Sequence, residues 1–442
     1  MAATTFHGMA RLVAMGAGLT ALLATAACGS SSGSASGAPT PDGKPKGTLN
    51  ILVSSATGSD AGFQAVNKAF MAKYPSVKVN FSSVPNENYA QAHASRLTAG
   101  SIDVGLAGPV QLPSYVPSSN EGDDARMADQ GGYLDLTSQP FMKKFNPTVL
   151  DQIKYKGKNY TVPTGLSYYS GMFYNKKIFA ENGIQVPTTW TELMAACQKL
   201  KAKGIVPLGI GGKDSAGLNM LGVVQTLYPT AQAKEDLAKG LYAGSVKLDQ
   251  GKQLEVLQKV QQLYSYAEPN FAGVSYPTMT ADFVNGKFAM MSDGTWNTTT
   301  IQQAGGSKLD FGYFPLPASD NAADNKYLGG KVELTLAIPS NAKNRTAAID
   351  YLDFFTNNYQ LFDDKAGFAP SVEGAKSNPF YAQIAQYTGT FQPAWDTIWI
   401  ANTKAGPNAQ LPFNWAGIAP MGSSDAKGAA EASQKDWQAG LK

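Results

Sequence analysis

The side chains of this chain that pair a flat apolar face with a polar edge are plentiful, 20 Tyr, 20 Phe and 6 Trp in 442 residues. Aromatic faces beside short polar and carboxylate groups are what a polyhydroxylated ring requires. Its C–H face stacks on an aromatic, and each rim hydroxyl needs a hydrogen-bond partner. The best cluster is Asp293-Gly294-Thr295-Trp296, directly after the apolar run Phe288-Ala289-Met290-Met291. Trp296 is the candidate platform, with a plain core tryptophan as the alternative. Asp293 has a carboxylate that can accept from two hydroxyls, or else caps the helix beginning after it. Gly329 and Gly330 permit close backbone approach or form an ordinary turn. Lys331 beside them contacts ligand or is simply solvated.

Enzymatic chemistry leaves thinner traces. With two His, of which His7 lies in a segment expected to be removed, neither a His-rich metal site nor a Ser-His-Asp machine is supported. The neighbouring acids Asp123-Asp124 and Asp363-Asp364 do not make a glycosidase pair. That reaction needs two carboxyls facing each other across a bond, and adjacent acids read better as solvated loops. No phosphate-binding loop of the GxxxxGK[ST] type and no GxGxxG after a strand is present. Lys and Arg number 36 against 33 acids, giving a formal +3 that is too dilute for tracking nucleic acid. No nucleic-acid partner and no cofactor are expected.

Residues 1–27 have the form of a secretory signal, with Arg11 followed by a run of Ala, Leu, Val, Met, Gly and Thr too short and too small for a confident membrane span. The run ends in Leu22-Leu23-Ala24-Thr25-Ala26-Ala27-Cys28-Gly29. This resembles a bacterial lipoprotein lipobox, in which the Cys is lipidated and becomes the new N-terminus. It departs from the pattern at Thr25, where Leu is usual, and ordinary cleavage near Ala27 is the alternative. Residues 28–46 then supply the lipidated Cys28 and a Ser, Gly, Ala and Pro-rich tether of about 25 Å reach. The other cysteine, Cys197, lies in a helical pattern and reads as a buried structural thiol.

The elements that must position the cluster alternate between α and β. Leu49–Val53, Val77–Phe81 and Ile102–Leu106 read as strands, separated by helices near Ala61–Lys73 and Asn88–Leu97. Such alternation predicts a mostly parallel sheet, with ligands outside the carboxyl ends of its strands, near Ser55 and Gln111. Plain loop roles are the alternative for both. A second α/β region follows the polar hairpin Tyr155–Pro163. In it, Thr189 and Glu192 form a capping-box start for a helix to Lys203. Further helices are expected over Leu254–Tyr264, Met279–Val284 and Asp350–Phe355, and strands over Lys287–Met291, Phe311–Phe314 and Val332–Ile338.

The chain resembles the extracellular solute-binding proteins of ABC importers, in the sugar-binding group that includes maltose-binding protein. The matching stretches run through nearly all of residues 47–420. Among them are Gly132-Tyr133-Leu134-Asp135-Leu136, Tyr174-Asn175-Lys176, Gly183 through Leu193, Phe283 through Met290, Asp293 through Trp296, Leu328-Gly329-Gly330 and Gly367 through Ser371. The resemblance implies a two-lobe α/β fold of the periplasmic-binding-protein type that closes on a solute by a hinge. The lobes it implies are 47–160 plus 337–365 and 165–329 plus 372–442, with crossings near 161–166, 330–336 and 366–371. It adds Tyr168 and Tyr169, after the first crossing, as residues that reach the solute or pack between the lobes. It also adds one C-terminal aromatic, Trp395 or Trp415. The implied function is a monomeric, lipid-anchored receptor on the outer face of the bacterial cell membrane. It would capture a sugar or oligosaccharide, pass it to an ABC permease and do no chemistry itself. A charged solute such as a glycerophosphodiester or polyamine is the rival ligand class, and a secreted carbohydrate-active enzyme is the rival activity.

Overall fold

A computed structural model describes residues 38–55 and 57–442. The expected signal segment, Cys28 and the first part of the tether lie outside these residues. The rest of the expected tether is docked. Ala38 packs on an apolar core, the Pro39 carbonyl accepts from Gln139 Nε2 over 3.1 Å, and the Gly43 N–H donates to Asp350 Oδ1 over 2.9 Å. Among the described residues no helix is long and apolar enough to cross a membrane.

The strands are β1 (Gly47–Ser54), β2 (Val77–Val84), β3 (Val104–Leu106), β4 (Thr161–Val162), β5 (Gly165–Tyr168), β6 (Gly171–Asn175), β7 (Val206–Gly209), β8 (Phe288–Asp293), β9 (Phe311–Pro315), β10 (Gly329–Glu333), β11 (Leu336–Ala337) and β12 (Gln392–Pro393). One sheet runs β2-β1-β3-β11-β4, a second β7-β8-β6-β9, and a small third β12-β10-β5. β1 pairs in parallel with β2 and β3, as the alternation predicts, because the helices Thr57–Lys73 and Asn86–Thr98 carry the chain back between them. β7 with β8 and β10 with β12 are parallel as well, but a mostly parallel arrangement does not hold through the other pairs. β11 is antiparallel to β3 and β4, and β6 is antiparallel to β8 and β9. β5 and β6 follow each other with only two residues between them and enter different sheets.

The run Val332–Ile338, expected as one strand, is two. Leu334 has a φ of 33°, which breaks the extended backbone between β10 in the third sheet and β11 in the first. Pro163 and Thr164 make the same passage from β4 to β5, and Ala369 bridges Leu166 beside them. Three stretches of chain therefore meet at the junction between two apolar cores. One core is built on β1, β3 and the helix Arg345–Asn357; the other is built on β8, the helix Trp190–Ala202 and the helix Ala426–Gly440.

The helix Trp190–Ala202 starts where the sequence places it. Thr189 Oγ1 accepts from the Glu192 N–H over 3.3 Å, while Glu192 Oε2 accepts from the Thr188 N–H over 2.7 Å. The reciprocal bond thus returns one residue earlier than in the usual capping box. Cys197 lies on the buried face of this helix, where desolvation pushes its thiol up to about 12.

Candidate functional site

Trp296 is the side chain to begin from, because it is half-buried and packs against both apolar cores. It lies on the short turn Thr295–Asn297 that leaves β8. Its indole folds back over Gly294, where a Cβ would come within 2.4 Å of three ring carbons. The Trp296 Nε1–H donates to the Tyr276 hydroxyl over 2.8 Å, and that hydroxyl donates to Asp293 Oδ1 over 2.9 Å. Asp293 is fully buried, and both its oxygens are occupied. Oδ1 also accepts from the Gly294 N–H over 2.7 Å, and Oδ2 accepts from Asn297 Nδ2 over 2.7 Å. Desolvation pushes its carboxyl up to about 7 against the pull of these donors.

Tyr169 lies with its ring centroid 5.3 Å from that of Trp296, tilted by 40°. Lys331 Nζ stands over both rings, 5.2 Å from Trp296 and 5.5 Å from Tyr169. Lys331 is paired with Glu333 Oε1 at 3.4 Å and keeps 37% of its side chain exposed. Ser167 donates to the same Glu333 oxygen. The Tyr169 hydroxyl donates to Asp396 Oδ1 over 2.6 Å. Asp396 is exposed to solvent, yet desolvation raises its carboxyl above the ordinary range despite the Tyr169 bond and the Lys331 charge. Desolvation likewise opposes the charge on Lys331, and Glu333 and Asp396 outweigh it and hold the ammonium above its usual value. Trp296 and Lys331 are half-buried and Asp396 is exposed, while Tyr169 and Glu333 beneath them are buried. This cluster, the candidate ligand recess, joins one half-buried aromatic face, backed by the buried Tyr169 ring, to one cation and two carboxylates.

The structure brings Trp296, Tyr169 and Lys331 together, with Asp293 behind them. Tyr168 points the other way, as the next residue along a strand does, and packs near Phe391 at 6.3 Å. Gly330 pairs with Tyr168 across the third sheet, and a Cβ on it would lie 2.6 Å from the Ser167 carbonyl, so the close approach it permits is to the protein's own backbone. Trp395 is buried and stacks on Trp399 at 5.2 Å and 22°. Trp415 is buried against Gly217. Ser55 is exposed at the end of β1 and donates to Asp60 Oδ2 over 3.0 Å. Gln111 is exposed on the loop after β3. Sequence reasoning missed Tyr276, Glu333 and Asp396. Tyr276 could have been flagged by Ser275-Tyr276-Pro277, a cap followed by proline that starts its helix. Nothing local marks Asp396, whose partner Tyr169 is 227 residues away.

A model of the bacterial extracellular solute-binding protein family matches residues 54–360. The chain is 24% identical over 326 residues to the multiple sugar-binding protein of Streptococcus mutans, covering 72% of this chain and 74% of that protein. Its fold superposes on that of the solute-binding protein RafE in complex with raffinose with a TM-score of 0.73, at 20% identity, covering 89% of this chain and all of RafE. A chitin oligosaccharide binding protein superposes with a TM-score of 0.69 at 22% identity, covering 90% of this chain and all of that one.

Proposed function

As the chain belongs to the bacterial extracellular solute-binding protein family, we propose that it is the receptor of an ABC importer that closes its two lobes over a sugar or oligosaccharide. The observation that carries this reading is the half-buried Trp296 ring, backed at 5.3 Å by the buried Tyr169 ring and clustered with Lys331, Glu333 and Asp396. A sugar ring stacks on such a face while charged groups beside it satisfy its hydroxyls. The single cation is matched by two carboxylates, which disfavours a phosphodiester, and the aromatic face favours a sugar over a polyamine. The names of the relatives, a multiple sugar-binding protein and binders of raffinose and chitin oligosaccharides, support the same class.

The lobes in this reading are 47–160 plus 337–365 and 165–329 plus 372–442, hinged at 161–166, 330–336 and 366–371. The passages through Pro163, Leu334 and Ala369 support those bounds. The receptor is a monomer without enzymatic activity, tethered by lipidated Cys28 to the outer face of the cell membrane, and it hands its cargo to a permease. From the first lobe, Ser55 and Gln111 meet the sugar on closure.

The test is a thermal-shift screen with raffinose, chitin oligosaccharides and other mono- and oligosaccharides, with polyamines and phosphodiesters as controls. A ligand that binds only the native state adds about 2.7 kcal/mol at a hundredfold excess over Kd. A shift with one sugar class that vanishes in Trp296→Ala supports the site. A shift with charged solutes alone refutes the sugar.

A further inference from the structure

We propose that the segment 394–403 couples the ligand recess to lobe closure, with Asn120 as the latch; this rests on the sugar-receptor reading above. At one end of the segment Asp396 accepts from Tyr169 beside the platform. Seven residues on, Thr403 donates twice to Asn120 Oδ1, from its N–H over 3.1 Å and from its hydroxyl over 2.9 Å. Asn120 ends the short turn Ser118–Asn120 in the chain that follows β3, and in the lobe bounds proposed above it lies on the lobe opposite Asp396.

The latch has a second strand. Asn120 Nδ2 donates to the Tyr242 hydroxyl over 3.5 Å, and that hydroxyl donates to the Ile400 carbonyl over 2.7 Å, inside the same segment. Tyr115, five residues before Asn120, sets its ring 5.8 Å from that of Tyr242. Asn120 is 7% exposed, so its amide has few water partners to fall back on. Between the two ends the segment is stiff. Trp395 stacks on Trp399, and Trp399 Nε1 donates to the Gln410 carbonyl over 2.7 Å. A short, core-anchored segment that holds a ligand-site carboxylate at one end and the opposite lobe at the other is positioned so that occupancy of the recess and closure favour each other.

Two experiments on the full-length chain test this separately from the choice of sugar. In the first, Asn120→Cys/Thr403→Cys is oxidised with glutathione disulfide. The latch predicts a 120–403 disulfide by peptide mapping and a smaller radius of gyration by X-ray scattering in the oxidised than in the reduced form. No such bond, or a bond that leaves the radius unchanged, overturns the proposal whether or not any sugar binds. In the second, the sugar that shifts the melt in the screen is released from Asn120→Ala by stopped flow. Release about tenfold faster is expected, the effect of losing a buried hydrogen-bonded pair, with the Trp296 fluorescence change on binding retained. An unchanged release rate overturns the latch while leaving the sugar site standing. Failure of every sugar in the screen removes the sugar reading and leaves the disulfide experiment to decide on the latch.

Discussion

The Trp296 indole N–H and the Asp293 carboxylate meet on one atom, the Tyr276 hydroxyl, which accepts from the first over 2.8 Å and donates to the second over 2.9 Å. The buried carboxylate thereby fixes the orientation of a half-exposed aromatic ring without touching it. The arrangement separates two tasks that one Trp cannot perform alone, offering a face and staying still.

Tyr276→Phe removes that shared atom while keeping the ring. The indole N–H loses its acceptor, and Asp293 keeps its bonds to the Gly294 N–H and Asn297. We expect a loss of about 1 kcal/mol in stability by denaturant titration, typical of one hydrogen bond. Sugar affinity by calorimetry should fall about tenfold, since a mobile platform must be ordered on binding. Affinity equal to that of wild type would mean that Trp296 is held by packing alone.

Gly294→Ala tests the same platform from below. A Cβ there lies within 2.4 Å of three Trp296 ring carbons, so the indole must swing away from its position over the backbone. The strain of such overpacking is about 1–3 kcal/mol. Sugar binding should weaken more than tenfold, with the tryptophan emission maximum moving to longer wavelength. An unchanged emission spectrum together with unchanged affinity would count against the ring position described here.

How much of this was legible in the sequence depended on the distance over which each residue finds its partner. Thr189 and Glu192 cap their own helix, β1 is a run of buried apolar residues, and Trp296 follows a buried strand; all three signals are local. Tyr168 and Tyr169 were readable only as a pair with two possible roles. Their division of labour, one ring toward the recess and one away, follows from β5 pairing with β10, a contact between segments far apart in the chain. The break at Leu334 was invisible because Val332–Ile338 has continuous strand-like composition, and only the passage between two sheets forces its positive φ. Asn120 and Asp396 belonged to no motif, and their partners lie 283 and 227 residues away.

The buried Asp293 should leave a signature in the pH dependence of stability. Its carboxyl is raised by desolvation from 3.8 to about 7 in the folded chain. Between about pH 4 and pH 7 the unfolded state has therefore lost a proton that the native state keeps. Its contribution is full at the acid end and is lost as pH rises through 7. Asp363, also raised to about 7 by desolvation, acts in the same window. In Asp293→Asn the first contribution disappears. The stability difference between wild type and variant should shift against wild type by on the order of 2 kcal/mol or more from pH 4 to pH 8. Parallel curves for the two proteins across that range would contradict this assignment.

Lys234 presents the opposite sign. It is fully buried on the helix Ala231–Tyr242, its ammonium has no hydrogen-bond partner among the described residues, and desolvation pulls it from 10.5 down to about 7. Above pH 7 the unfolded chain holds a proton that the native chain has released, so wild-type stability from this group rises between about pH 7 and pH 10.5. Lys234→Met fills the same volume without a charge to desolvate. It should stabilise the protein at pH 7 by about 1–4 kcal/mol, read as a higher denaturation midpoint. The gain should shrink as the titration is repeated at pH 8, 9 and 10, because the wild type recovers what the variant never lost. A destabilised variant at pH 7 would show that Lys234 has a partner in solution and that its ammonium is held in the core for a reason other than packing.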